Sequence, residues 1–284
     1  MIGGLLARCS FPPAGVPVTC AVSGGADSLA LLVLAVEAGT VVTAVHVDHG
    51  LRCGSAVEAE AVAAVAARWG AAFRSEAVEV PAGPNLEARA RRARYDVLPA
   101  EVLTGHTADD QGETVLLNLI RGASLDGLAG FDPLRRPLRA LRRRETHQLC
   151  ADLDLEPVRD PSNDDPRFRR NRVRQELLPL LDAIAERDVA PVLARQADHL
   201  RADAALLDHL ASAIDPTDAV ALAAAPEPLA ARAVRRWLRE GKEHHPPDTA
   251  TVRRVLAVAR GEAAACEVAG GRRVSRHAQR MVLC

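Results

Sequence analysis

Lysine is almost missing from this 284-residue chain: of 36 cationic residues only Lys242 is one, and the rest are arginine. No lysine follows any glycine-rich turn, which disfavours a Walker-type phosphate loop. Aromatic side chains are also scarce, with four Phe, two Trp and one Tyr. Stacking on a planar ligand must therefore fall to arginine or to a few rings such as Phe168. The six cysteines (Cys9, Cys20, Cys53, Cys150, Cys266 and Cys284) include no CxxC pair. That argues against a zinc or iron–sulfur site and for a reduced, cytoplasmic chain. The longest apolar runs, such as Leu29 to Val36, are too short to cross a bilayer, and the N-terminus lacks a secretory pattern. No membrane partner is expected.

Net charge is also nearly absent, at −1, but it is unevenly spread. Residues 1–134 carry 9 Arg against 15 acidic residues, and residues 135–174 carry 12 Arg against 7. The second stretch makes a polyanionic partner plausible.

What is present is an alternation of short β-branched runs with Ala/Leu-rich segments of helical period. Val16–Val22, Val41–Val47, Ala72–Val80 and Val102–Gly105 read as strands. Segments 27–38, 55–69, 85–98 and 108–121 read as helices between and after them. This predicts an α/β fold, a parallel sheet with helices on both faces and right-handed crossovers. Further helices are expected near 141–153 and 171–181. From about 182 to 262 the chain is Ala/Leu-rich helix, followed by a hairpin around Gly270-Gly271. The expected domains are 1–182, which binds the ligand, and 183–284, smaller and mainly helical.

Ligands of such sheets bind beyond the carboxyl ends of the strands. Three segments lie there: Ser23-Gly24-Gly25-Ala26-Asp27-Ser28, Val47-Asp48-His49-Gly50 and His106 to Gln111. The first turns a strand into a helix with almost no side-chain bulk. Its glycines permit close approach to the main chain, and the helix start offers unpaired N–H groups at the positive end of the macrodipole. Ser23 and Ser28 add hydroxyls. Asp27 is suited to holding Mg²⁺ beside a phosphate rather than the phosphate itself. The plainer alternative is a tight strand–helix turn.

The run SGGADS resembles the SGGxDS signature of the PP-loop ATP pyrophosphatase superfamily. HVDHGLR (46–52), NLEARARRARYDVL (85–98), GHTADDQGETVLLNLIRGASLDGLAGF (105–131) and DPSNDDPRFRRNRVRQELLPLL (160–181) are similar, in order and rough spacing, to the tRNA(Ile)-lysidine synthetase family. The resemblance implies a ligase that uses ATP to adenylate C2 of the wobble cytidine in isoleucine tRNA with a CAU anticodon. Free L-lysine then displaces AMP. It implies ATP bound by residues 23–28 with Mg²⁺ on Asp27, and lysine contacted by Asp110 and Glu113, which stand i, i+3 near a helix start. It also implies catalytic roles for Asp27, Asp110, Glu113 and Arg172, the last favoured within Arg170-Asn171-Arg172-x-Arg174. A homodimer is compatible with it.

Read without the resemblance, Asp110 and Glu113 could simply favour the positive end of a helix. The arginines at 135–144 could form a solvated face, although Arg139 and Arg143, with Arg170, Arg172 and Arg174, fit an RNA footprint. His46, Asp48 and His49 mix good metal ligands but have no further ligand nearby in sequence. The resemblance implies that they border the nucleotide, and that His106 does too. The segment from Gly130 to Arg136 looks shortened relative to the family. Two other readings are a PP-loop enzyme with a different acceptor, such as a tRNA thiolase, and a nucleotide-binding regulatory protein without chemistry.

Overall fold

Four parallel strands form the frame of the first half of the chain. They are β1 (Pro17–Ala21), β2 (Val41–Asp48), β3 (Ala72–Ala77) and β4 (Leu103–Thr104), in the order β3-β2-β1-β4. The computed structural model describes residues 2–48, 55–80, 83, 86–158, 164–239 and 247–284. β1 pairs on both sides, with Ala21 opposite Val45 and Thr104, and is therefore central where the chain leaves the sheet.

A short helix, α1 (Ile2–Leu6), precedes the sheet. Helix α2 (Ala26–Glu37) follows β1 and is apolar nearly all round, with every residue from Ala26 to Ala35 buried except Asp27. Such a helix must be covered on more than one side. One side meets the sheet, and the other meets Leu138, Leu141, Leu149 and Cys150 on and before α7 (Arg143–Asp152). Leu31, Leu32 and Leu34 are fully enclosed, each worth about 1.5–3 kcal/mol of burial. This packing fixes the start of α2. Helix α3 (Ser55–Arg68) shares that core through Val62 and Ala66. Helix α4 (Leu86–Val97) covers the opposite face, where Tyr95 packs with Val45, Leu98 and Val102. Helices thus lie on both faces of the sheet.

Helix α5 (Ala108–Ile120) leaves β4, and α6 (Leu125–Leu128) is a single turn. The α8 turn (Arg169–Arg172) runs through a π-helical stretch, Val173–Leu177, into α9 (Leu178–Ala185). α10 (Ala190–Ser212) follows. The chain divides into two compact units, 1–198 and 199–284, where the sequence suggested a boundary at 182.

The second unit contains α11 (Ala219–Ala224), α12 (Glu227–Arg239), α13 (Thr249–Arg260) and an antiparallel sheet of β5 (Ala265–Val268), β6 (Arg272–His277) and β7 (Arg280–Leu283). Gly270 and Gly271, at φ 79° and 70°, turn β5 back onto β6. Successive residues with positive φ suit glycine. Trp237, Leu222, Val255 and Val274 lie in this unit's core.

Candidate active site

The loop between β1 and α2 is braced from within. Ser28 Oγ donates to the Gly25 carbonyl at 2.8 Å, and the Ser23 backbone N–H donates to Ser28 Oγ at 3.2 Å. Gly24 sits at φ 86°, a conformation that side chains disfavour. Gly105, after β4, passes so close to the main chain of Asp27 that a Cβ there would collide with it. No side chain caps the start of α2. An uncapped helix start with small neighbours is suited to an anion. The start of α5 differs, because Asp110 Oδ2 accepts from both the N–H and the hydroxyl of Thr107 at 2.9 Å.

Beside the loop, three carboxylates and three arginines interlock. Glu113 has no exposed side-chain surface. Its Oε1 accepts from Arg143 Nη1 at 3.0 Å and Arg174 Nε at 2.7 Å, and its Oε2 from Arg170 Nε at 2.6 Å and Arg174 Nη2 at 3.2 Å. Asp110 Oδ1 accepts from Arg143 Nη2 at 2.9 Å and Arg170 Nη2 at 3.0 Å. Arg143 also lies 3.5 Å from Asp27 Oδ2, so one guanidinium touches all three acids. Asp27 is the most open of the three, with 26% of its side chain exposed, and its Oδ1 accepts from the Thr146 hydroxyl.

The electrostatics separate these carboxyls. Burial raises Asp27 above the ordinary carboxylate value, the Asp110 charge adds to this, and Thr146, Arg143 and His147 only partly offset it. Burial also opposes ionisation of Asp110, but Arg143, His106, Arg170 and the Thr107 N–H together hold it well below the usual range. Burial works against the Arg143 charge too, yet Asp110, Glu113 and Asp27 keep it firmly protonated. One carboxyl is short of cations and the other is surrounded by them.

Asp109 sets this geometry by taking Arg142 Nε and Nη2 at 2.9 and 2.8 Å and the Arg143 N–H at 2.7 Å. It thereby anchors the start of α7, and with it Arg143 and Thr146.

The PP-loop domain family matches residues 12–181. A tRNA(Ile)-lysidine synthase from Nocardia farcinica is 45% identical over 84% of this chain and 80% of its own length. The chain belongs to the tRNA(Ile)-lysidine synthase family. A second member, from Rhodococcus erythropolis, is 44% identical over 79% of this chain and 74% of its own. Among solved structures, the U34-tRNA thiolase NcsA from Methanococcus maripaludis aligns with a TM-score of 0.57 at 17% identity, covering 70% of this chain and 77% of that one. That likeness concerns the fold.

Of the residues singled out from the sequence, Asp27, Asp110, Glu113, Arg143, Arg170 and Arg174 come together. Arg172 does not. It is 61% exposed and pairs with Glu176 at 2.8 Å one turn on. The reason is helical spacing: residues i and i+4 share a face, whereas i+2 lies opposite. Arg170 and Arg174 therefore point in and Arg172 points out. Arg139 pairs with Asp198 at 2.6 Å.

His46 is buried, with Nδ1 2.9 Å from the Val22 carbonyl, and braces β2 against the root of the loop. His106 Nδ1 lies 2.8 Å from Thr104 Oγ1. Asp48 ends β2, while His49, Gly50 and residues 160–163 lie outside the described residues. Among the described residues, no group of three His, Cys, Asp or Glu could hold a metal, and no helix is long and apolar enough to cross a membrane. From the sequence Asp109, Thr107 and Thr146 carry no assigned role, and Arg143 stands only as an RNA contact. The signal for Thr107 and Asp110 was an N-cap residue with an acid three positions on.

Proposed function

We propose that the protein joins free L-lysine to C2 of the wobble cytidine of isoleucine tRNA at the expense of ATP. The observation that carries this reading is the uncapped loop 23–28 lying against carboxylates that three arginines cover, in a chain of this family. In the first step the C2 oxygen attacks the α-phosphate of ATP and pyrophosphate leaves. In the second the ε-amine of lysine attacks C2, AMP leaves, and the amine gives up a proton.

The main chain at Gly24, Gly25 and Ala26 and the start of α2 hold the polyphosphate. Mg²⁺ fits Asp27, because this partly open carboxylate is held above its ordinary pKa by burial and by Asp110, the mark of an anion short of positive charge. Asp27 would hold the ion together with phosphate oxygens, and the ion would neutralise charge at the α-phosphate.

Asp110 and Glu113 receive the lysine amine, and one of the pair takes its proton as attack on C2 begins. Both acids are taken up by Arg143 and Arg170. Polyphosphate competes for the same guanidiniums, so ATP draws them aside and uncovers the acids for the amine. Arg170 and Arg174 steady the adenylate, and exposed Arg172 serves as a tRNA phosphate contact.

Incubating the protein with isoleucine tRNA, ATP and isotopically labelled lysine, then analysing the nucleosides by mass, tests the reading. A labelled nucleoside formed at the expense of cytidine is expected. Unaltered cytidine with all substrates present would contradict it.

A further inference from the structure

At the edge of the sheet, a cavity of about 230 Å³ has no part in the arrangement described so far. Its walls are Tyr95 of α4, Val102 and Thr104 of the β4 segment, and Phe131, Asp132, Arg135 and Arg136. That volume is below the roughly 300–1,000 Å³ of sites that bury drug-sized molecules, so it suits one flat ring rather than a whole nucleotide.

The wall chemistry is selective. The chain has only seven aromatic side chains, and two of them, including its sole tyrosine, line this one cavity. A third ring, His106, tilts against Phe131 with centroids 5.4 Å apart. The Arg136 guanidinium lies 4.4 Å from the Phe131 centroid, giving a stacked cationic plane. Rings and arginine planes are the surfaces on which proteins receive unstacked bases of RNA.

A polar group sits among them. Asp132 Oδ1 accepts from the Leu134 N–H at 2.9 Å, capping a short 3₁₀ turn, and its second oxygen remains an acceptor. A carboxylate that accepts from an exocyclic amine distinguishes cytosine from uracil, which presents a carbonyl there.

The cavity is also adjacent to the reaction centre. Thr104, one of its walls, pairs with Ala21, two residues before Ser23, and its hydroxyl lies 2.8 Å from Nδ1 of His106, which precedes the Thr107–Asp110 start of α5.

We propose that this cavity receives the target cytosine, unstacked from the RNA, with Phe131, Tyr95 and Arg136 holding its faces and Asp132 accepting from its amino group. This assignment rests on the proposed function and adds where the base is held and how it is recognised.

The test uses initial rates with isoleucine tRNA carrying C or U at the wobble position, for the unmodified protein and for Phe131→Ala, Phe131→Leu and Asp132→Asn. Loss of the ring in Phe131→Ala raises KM for tRNA about tenfold or more, with KM for ATP and lysine unchanged. Phe131→Leu keeps apolar bulk and shows the same tRNA effect in a folded protein. Asp132→Asn lowers the preference for C over U about tenfold.

A rise in KM for ATP instead would make this an adenine site and overturn the proposal. So would unchanged KM values together with an unchanged C/U preference. Binding of the anticodon stem-loop alone, with C or U, needs no chemistry. If the unmodified protein bound the C form better and Asp132→Asn abolished that preference, the cavity assignment would stand even if no lysine were transferred.

Discussion

The carboxyl end of the first sheet and the core of the 199–284 unit bury opposite kinds of group. Around Glu113, three arginines and three carboxylates crowd beside a loop of almost bare main chain. In the second unit Trp237, Leu222, Val255, Val274 and their neighbours form an apolar cluster, with Arg232, paired to Asp208, the buried charge among the described residues. Apolar burial stabilises with little dependence on partners. A buried ion cluster gains little over an apolar core of similar size, but it becomes costly when one member is removed. The first region therefore keeps an arrangement that stability alone would not select, and the second does not.

The largest expected effects set the two regions side by side. Trp237→Ala costs about 3–5 kcal/mol through lost burial and a residual cavity. Glu113→Ala costs about as much, because Arg174 loses both its hydrogen bonds and three guanidiniums are left crowding on Asp110. Urea unfolding measures both. In Trp237→Ala the remaining tryptophan, Trp69, reports on the 1–198 unit. The variants should differ in function, with Glu113→Ala losing ATP-dependent turnover and Trp237→Ala retaining ATP binding. A cost under about 1 kcal/mol for Glu113→Ala would remove the basis of the contrast.

Next in size is the coupling between substrates. A non-hydrolysable ATP analogue should tighten lysine binding about 5- to 150-fold, the usual range for linked sites. In Arg143→Ala, with one of the competing guanidiniums gone from both acids, that coupling should shrink. Calorimetric titration of lysine with and without the analogue measures it. Equal lysine affinity in both states would contradict the competition for Arg143 and Arg170.

Smaller still is the pH response. The Asp27 carboxyl is raised in the folded protein, so its contribution is full below the unfolded value and is lost as pH rises through the folded one. Asp27→Asn should raise Tm at neutral pH while abolishing activity. Asp110 is depressed, so its contribution is present above the unfolded value of about 4 and is lost on further acidification. Asp110→Asn should flatten the acid limb of the stability curve. Thermal unfolding across pH 3–8 distinguishes the two, and a lower Tm for Asp27→Asn at pH 7 would contradict the assignment.

The smallest effect belongs to Arg172→Ala, which removes an exposed i, i+4 pair. The value of kcat should change less than about twofold, and KM for tRNA should rise modestly and less so at higher salt. A large loss of kcat would restore Arg172 to the reaction centre.

Much of the first region was legible because its periods are plain. The strand–helix alternation gave β1 to β4 and α2 to α5 within a few residues, and the SGGADS run marked its own corner. The arginines were harder. Arg170 and Arg174 share a face that Arg172 does not, which helical spacing alone implies. The convergence of Arg143 on the same acids is different, since it depends on α7 being anchored by Asp109 more than thirty residues away. No local pattern announces such a contact. The cavity at Phe131 was hidden for a similar reason, because Tyr95 and Phe131 meet only through the fold.

The most direct test is the fate of ATP labelled in its α-phosphate. With isoleucine tRNA and lysine present, the account predicts AMP and pyrophosphate, with AMP release dependent on both partners and lost in Asp27→Asn. Formation of ADP and phosphate, or AMP release indifferent to the tRNA, would contradict it.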